Sequence, residues 1–232
     1  MSPPTAVIDA IRYLQREASD VSRLRPDPAA VVTALATLEK QRKKSKQRYR
    51  YEDLVGTWQL GFVSGTRKAK PARSGAKPIK QLGKGRFLPR WIQITITYGL
   101  PAQLLSPALL DTSPGAPTSD RSSDRSSDRS TPQPSGAVIN QVVLGAASLQ
   151  LSGPTVYWPK TNTLGFDFVY LQGRIGALKL YDAPVRGGKE RCEAFATLPL
   201  KDQAFFTFFA AEKDYIAARG KGGGLALWTR SI

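Results

Sequence analysis

Few residues of this chain could carry out acid–base or nucleophilic catalysis. The sequence has no histidine, one cysteine (Cys192) and one methionine. Serine and cysteine nucleophiles that depend on an imidazole base are therefore excluded, and zinc, haem and iron–sulfur sites lose their usual ligands. Carboxylates such as Asp167 and Asp182 could serve a hydrolase or lyase, but these acids are scattered and form no paired motif. We therefore predict no enzymatic activity, no catalytic residues, no metal site and no cofactor.

A glycine-rich segment near the end of the chain, 219–224, could bind phosphate or form a turn. Phosphate-binding glycine loops precede a helix, whereas the residues after Gly224 have a strand pattern. Its glycines are those that a turn with positive φ between two strands requires, so a hairpin turn is the favoured interpretation. Two roles stay open for Arg219: a structural pair with a buried carboxylate or carbonyl, or a contact with a ligand.

Positive charge is concentrated in one part of the chain. The net charge is +16, from 34 basic and 18 acidic residues. The segment 40–90 is densely basic and contains only the acids Glu52 and Asp53. This pattern indicates an anionic partner, either a lipid surface or a phosphate backbone, with a merely solubilising surface as the alternative. The residues predicted to bind an anionic surface are Lys40, Arg42, Lys43, Lys44, Lys46, Arg48, Arg50, Arg67, Lys68 and Lys70.

Two amphipathic helices are predicted ahead of the strands. Apolar residues recur at helical spacing over 3–22, and Asp27 followed by Pro28 indicates the start of a second helix, as a cap and a first-turn proline. We expect residues 1–40 to form a helical hairpin that buries its apolar faces against a barrel or a protein partner. A basic linker is predicted at 41–53.

Strand patterns begin at Leu54, where the apolar period changes to two. Trp58, Leu60 and Phe62 share one predicted face. Many short strands with glycine-marked turns predict an antiparallel β-barrel over 54–232. The other predicted strands are 92–98, 138–151, 166–168, 173–181, 204–211 and 224–229.

Two insertions are expected to be flexible. Residues 65–86 are rich in glycine, proline and basic side chains, and residues 111–136 contain three tandem copies of Ser-Asp-Arg-Ser. Neither segment has enough apolar surface to offset the entropy of ordering it. The fold class predicted from the sequence is therefore mainly β, a barrel with N-terminal helices and two flexible insertions.

Motifs at the two ends of the predicted barrel resemble those of a known family. Gly56-Thr57-Trp58 resembles the Gly-x-Trp signature that opens lipocalin-like barrels. Together with Arg219-Gly220-Lys221-Gly222-Gly223-Gly224-Leu225-Ala226-Leu227, it resembles the opening and closing motifs of the plastid-lipid-associated proteins, also called fibrillins or plastoglobulins. The chain looks like a divergent, cyanobacterial-type member, because Glu212-Lys213-Asp214-Tyr215-Ile216-Ala217 stands where the family often has an acidic run leading into Leu-Arg-Ile.

This resemblance implies a lipid-associated protein that works without catalysis. It would bind an isoprenoid, carotenoid, quinone or acyl lipid inside a lipocalin-like barrel, and it would be peripheral to the cytoplasmic side of the thylakoid membrane. No signal peptide or membrane-spanning helix is predicted. The residues predicted to contact the ligand from the barrel interior are Trp58, Leu60, Phe62, Phe166, Phe168, Phe206, Phe208 and Arg219.

The alternative is a basic barrel that binds nucleic acid through the 40–90 region. Its basic segments would follow the phosphates, while Tyr49, Tyr51 and Trp91 stack on bases. The run Arg48-Tyr49-Arg50-Tyr51, which alternates basic and aromatic residues, is the best support for this hypothesis.

Overall fold

A computed structural model describes residues 3–15, 25–69, 79–100 and 133–231 of the chain. Within these residues the α-helices are α1 (Thr5–Gln15), α2 (Pro28–Lys44) and α3 (Gly188–Ala194). The strands are β1 (Gly56–Ser64), β2 (Thr66–Ala69), β3 (Ile79–Leu82), β4 (Arg86–Phe87), β5 (Ile92–Gly99), β6 (Gln133–Leu144), β7 (Ala147–Trp158), β8 (Thr163–Phe166), β9 (Tyr170–Ile175), β10 (Leu178–Pro184), β11 (Ala204–Ala211), β12 (Tyr215–Gly220) and β13 (Leu225–Arg230).

Eight antiparallel strands form a closed barrel, which confirms the predicted fold class. The order around the barrel is β1, β5, β6, β7, β8, β11, β12 and β13, and the pairing of β1 with β13 closes it. The last two strands form the hairpin that the glycine-rich segment predicts, with Gly223 at φ +91°. The first and last strands of the predicted barrel are therefore neighbours.

The N-terminal helices cover the outside of the barrel. The Asp27 carboxylate caps α2 by accepting hydrogen bonds from the backbone N–H groups of Ala29 and Ala30, and Pro28 occupies the first turn. Because α2 continues to Lys44, the first part of the predicted linker is helical. The helices and the outer barrel surface share the helix-side cluster, whose buried members include Val7, Ile11, Val31, Leu35, Leu38, Phe62, Phe87, Phe209, Tyr215, Leu225 and Leu227.

Strands β5, β6 and β7 extend the barrel wall beyond one end. The second half of β7 pairs with β8 as part of the barrel wall. Its first half pairs with β9, which pairs in turn with β10. Backbone bonds from Asp167 N to Pro154 O and from Val169 N to Ser152 O carry the chain from β8 to β9 along the same edge of β7. We call the extension, made of β9, β10 and residues 92–94, 141–144 and 147–152, the wing.

Two predicted strands are in fact hairpins. The predicted strand 138–151 contains the turn between β6 and β7, where Gly145 has φ +58°, and 173–181 contains the turn between β9 and β10, where Gly176 has φ +54°. A single glycine followed by alanine is a weak turn signal in a sequence, so the apolar residues on both sides read as one strand. The hairpins double the number of strands available for the wing.

The two insertions are only partly described. Within 65–86, where a flexible loop is predicted, β2 and β3 form a two-stranded antiparallel ribbon and β4 pairs with β1. Residues 70–78 lie outside the described residues, as do 101–132 with the Ser-Asp-Arg repeats. The second insertion ends earlier than predicted, because β6 begins at Gln133.

Candidate functional site

One end of the barrel, which we call the closed end, lies where β1 begins. Trp58 is fully buried there, and its Nε1 donates a hydrogen bond to the Leu54 carbonyl oxygen at 2.7 Å. The hydroxyl of Tyr51 donates to the Gly99 carbonyl oxygen at 3.0 Å. The Arg230 guanidinium lies over the Trp58 ring. Side chains and backbone therefore fill this end of the barrel.

Aromatic side chains fill much of the interior. Phe206 lies at the centre of the set, with its ring centroid 5.1 Å from that of Phe166, 5.3 Å from that of Trp228 and 6.3 Å from that of Phe208. Six of the predicted ligand contacts belong to or pack against this inner cluster. They are Trp58, Leu60, Phe166, Phe168, Phe206 and Phe208.

Two predicted interior residues lie on the outside. A β-bulge between Leu60 and Phe62 breaks the strict alternation of β1, so Phe62 joins the helix-side cluster, where its ring centroid lies 4.9 Å from that of Phe87. Gly61 faces the helices as well, because a Cβ there would overlap the Leu14 side chain. The prediction that Phe62 points into the barrel is wrong for this reason.

Arg219 also points away from the interior. Its Nε donates to Glu39 Oε1 of α2 at 3.0 Å, and its Nη1 donates to the Gly223 carbonyl oxygen. Burial raises the pKa of the Glu39 carboxyl, but the bonds from Arg219 and Lys43 outweigh burial and hold this pKa below its usual value. The sequence leaves two roles open for Arg219, and in the structure it pairs with a buried carboxylate. This ion pair joins α2 to the β12–β13 hairpin.

At the opposite end, which we call the open end, the inner face of the barrel continues onto the wing. Cross-strand pairs run from Trp58 to Ile96, Asn140, Leu151 and Leu171, so these five residues share one face of the sheet. Beyond Gln59, β1 turns from β5 to the short strand β4. Because β1 does not continue along β5, it does not cover the inner face of the wing.

The inner face of the wing is apolar and uncovered within the described residues. Leu149 is 43% exposed, Ile175 53%, Leu178 65% and Tyr181 44%. The opposite face is polar: Gln150 bonds to Gln172, and Gln172 bonds to Asp182 at 2.9 Å. Soluble monomeric proteins rarely expose a contiguous apolar surface, so one on a sheet of this kind indicates a binding site. The inner-face residues of the wing are Ile92, Ile94, Val142, Leu144, Ala147, Leu149, Leu151, Leu171, Ile175, Leu178, Tyr181 and Ala183.

These residues were missed at the sequence level for a definite reason. Apolar side chains alternate along 147–151, but along 138–144 they occur in consecutive runs, and the two segments share a face only because Gly145 reverses the chain. The alternation along 147–151 was the available signal.

The basic residues do not form a single surface. Arg48 and Arg50 come just before β1, at the closed end, whereas Lys84, Arg86 and Arg90 come after it. The side chains of Lys40, Lys43, Lys44, Lys46, Arg48 and Arg50 are exposed, and Arg42 is largely buried, with Nη2 2.9 Å from Glu212 Oε1. Arg67 and Lys68 lie on β2, where only the backbone is described, and Lys70 lies outside the described residues.

Two of the three aromatic residues proposed to stack on bases are engaged elsewhere. Tyr49 is 5% exposed and its hydroxyl donates to the Phe209 carbonyl oxygen at 3.1 Å. Tyr51 packs against the inner cluster. Trp91 is 67% exposed. Tyr49 is therefore too buried to stack on a base, and Tyr51 is packed against the barrel, so the Arg48-Tyr49-Arg50-Tyr51 run gives the nucleic-acid hypothesis little support.

The two candidate carboxylates make structural bonds. Asp167 is buried and pairs with Arg186 at 3.1 Å and with Arg191 at 2.9 Å. Asp182 pairs with Lys179, and the bonds from Lys179 and Gln172 lower its pKa to about 2. Among the described residues no group of three or more potential metal ligands comes together.

Comparison with models of known protein families, with curated proteins and with solved structures finds no match to this chain. None of the helices in the described ranges is both long and apolar enough to span a membrane. The structure therefore defines the protein by its fold class, which is a closed eight-stranded antiparallel β-barrel with a helical hairpin on its outer surface. Such a barrel is compatible with the binding of a ligand.

Proposed function

We propose that this protein binds a hydrophobic molecule at the open end of its barrel and acts by binding rather than by catalysis. The observation that carries the proposal is the continuation of the apolar inner face onto the wing. An isoprenoid, carotenoid, quinone or acyl lipid would replace water on this face, and each buried methylene would contribute about 0.8 kcal/mol.

The ligand would lie across the mouth of the barrel rather than deep inside it. Trp58, Tyr98, Tyr157 and Phe208 are each at most 1% exposed, so the closed end is filled by side chains. An eight-stranded barrel is just wide enough for such filling. Leu60, Phe168 and Phe206 are half-buried and would form the floor of the site. The inner face of the wing would form its wall.

The open end is also the end that we propose to contact a lipid surface. Arg90 and Trp91 lie exposed at the tip of the wing, beside Leu144 and Gly145 of the β6–β7 turn, and Lys84 and Arg86 are exposed close to them in the chain. An interfacial tryptophan combined with basic residues suits an anionic bilayer, where each basic residue adds about 1 kcal/mol. The resemblance to plastid-lipid-associated proteins supports the cytoplasmic face of a cyanobacterial thylakoid as this surface.

Binding of cis-parinaric acid, a fluorescent polyene fatty acid, tests the proposal. The double variant Leu149→Gln/Leu171→Gln places two polar groups on the inner face of the wing, and we expect it to weaken binding about tenfold or more, because each buried amide would lack a partner. The control is Val143→Gln, because Val143 pairs with Gln93 and Ser148 on the opposite face. The proposal fails if the native protein does not bind the probe, or if the control weakens binding as much as the double variant.

A further inference from the structure

A second cleft lies against the outer surface of the barrel. Its volume is about 470 Å³. One wall is the C-terminal turn of α2 with the segment that follows it, and the other is the outer face of β8 and β11. Its lining residues include Arg42, Lys43, Lys46, Arg48, Asn162, Thr163, Leu200, Phe205 and Thr207.

The cleft is strongly cationic. Arg42, Lys43, Lys46 and Arg48 all line it; among the described residues its lining has one acid, Glu39, and Arg42 also pairs with Glu212 beside it. Glu39 is 5% exposed and already bonds to Arg219, while Lys43 Nζ lies 2.8 Å from Glu39 Oε1. An anion that enters the cleft would therefore meet an excess of positive charge, close to a low-dielectric wall that strengthens the attraction.

The basic segment of the cleft is held in place by the barrel. Asn162 donates from Nδ2 to the Gln47 carbonyl oxygen at 2.8 Å and accepts from the Tyr49 N–H at 3.1 Å. The Tyr157 hydroxyl donates to the Tyr49 carbonyl oxygen at 2.9 Å. Both residues flanking Arg48 are therefore fixed through their backbones. Fixing these positions before a ligand arrives lowers the entropy cost of binding.

One of the residues that line the cleft, Arg42, has a donor without a partner in the described structure. The Nε of Arg42 is buried and makes no hydrogen bond there, although Nη2 of the same guanidinium binds Glu212. A buried N–H without an acceptor costs about 1 to 3 kcal/mol, so a small shift of this guanidinium toward an anion in the cleft would be favoured. Thr163 and Thr207 add hydroxyl groups 3.2 Å apart, and Phe205 and Leu200 add partly exposed apolar surface.

We propose that this cleft binds a phosphate-bearing small molecule. Two guanidinium and two ammonium groups converge on one cavity, and a phosphate offers the charge and the several acceptor oxygens that such a set of donors matches. Phe205 and Leu200 would contact the apolar part of the ligand. The ligand could be a soluble phosphate ester or the head group of a phospholipid. This proposal does not depend on the hydrophobic site at the open end.

Calorimetric titration of the full chain at low ionic strength tests the proposal with two probes. One probe is glycerol phosphate in solution, and the other is phosphatidic acid in phosphatidylcholine vesicles. The cleft variant is Lys46→Glu/Arg48→Glu. Its control is Lys40→Glu/Lys44→Glu, which changes the net charge equally on exposed residues of α2 that do not line the cleft. Thermal unfolding of both variants checks that they are folded.

We expect saturable binding of at least one probe, about tenfold weaker or worse in the cleft variant and changed about twofold or less in the control. Saturation by glycerol phosphate would assign the site to a soluble ester, and binding to the vesicles alone would assign it to a head group. Absence of binding to both probes overturns the proposal. An equal loss in the two variants also overturns it, because that result would describe a diffuse basic surface.

Discussion

The Cζ atom of Arg230 lies 4.0 Å from the centroid of the Trp58 ring, at the point where the last strand of the barrel pairs with the first. The contact explains the glycine two residues before the tryptophan. Gly56 has φ +130°, and a Cβ there would lie 2.5 Å from Arg230 Nη1. A side chain at position 56 would therefore displace the guanidinium that covers Trp58 and closes the barrel.

We expect Arg230→Met to lower the free energy of unfolding by about 1 to 2 kcal/mol, because a partly desolvated cation–π contact is lost. Gly56→Ala should cost a similar amount, since it adds backbone strain and displaces the guanidinium. The double variant should lose less than the sum of the two single losses. Urea denaturation of the four proteins measures this coupling, and strictly additive losses would show that Gly56 and Arg230 act independently.

The Glu39 pair with Arg219 should make stability depend on pH. Because the pKa of folded Glu39 lies below its usual value of 4.5, the pair stabilises the fold above that pH and loses its contribution as the pH falls through the folded pKa. We expect Glu39→Gln to cost about 2 to 3 kcal/mol at neutral pH, because Arg219 is then left without its carboxylate. The difference from the native protein should shrink in acid.

Denaturation at neutral pH and in acid measures this difference. The control is Glu193→Gln, whose carboxylate is exposed and lies 3.9 Å from Lys189. It should change stability by less than about 0.5 kcal/mol at either pH. A Glu39→Gln cost that does not change with pH would exclude ionisation of Glu39 as the source of the stabilisation.

Two buried tyrosines should respond in opposite ways to the loss of their hydroxyl groups. The Tyr98 hydroxyl is buried without a hydrogen-bond partner in the described structure, so Tyr98→Phe should leave stability unchanged or raise it by about 1 kcal/mol. The Tyr157 hydroxyl donates to the Tyr49 carbonyl oxygen, so Tyr157→Phe should lower stability by about 1 to 2 kcal/mol. Each variant serves as the matched control for the other in urea denaturation, and equal effects would contradict this assignment.

The bulge in β1 should be sensitive to any side chain at position 61. A Cβ on Gly61 would lie 2.4 Å from methyl carbons of Leu14, so Gly61→Ala should destabilise the protein by about 1 to 3 kcal/mol as α1 is pushed outward. Leu14→Ala vacates this space and should recover part of the loss when combined with Gly61→Ala. The thermal midpoints of the three variants measure the compensation, and a double variant no more stable than Gly61→Ala would rule out this contact as the cause.

Local patterns were enough to predict the fold class. Alternation along β1 and β5, helical spacing ahead of them and the glycines between β12 and β13 each depend on neighbours only a few residues away. That is why the helical hairpin, the barrel and the last turn could be predicted. Alternation along β1 also put Trp58 and Leu60 on one face, and both belong to or pack against the inner cluster.

The functional surfaces depended on contacts between distant parts of the chain. The bulge that turns Phe62 outward lies in the pairing of β1 with β13, at the other end of the chain, and the partner of Arg219 is Glu39, 180 positions away. The wing exists because Gly145 and Gly176 reverse the chain and bring alternate apolar residues onto one face. A sequence determines which residues can alternate, but only tertiary packing decides which face of each strand is buried and which is left for a ligand.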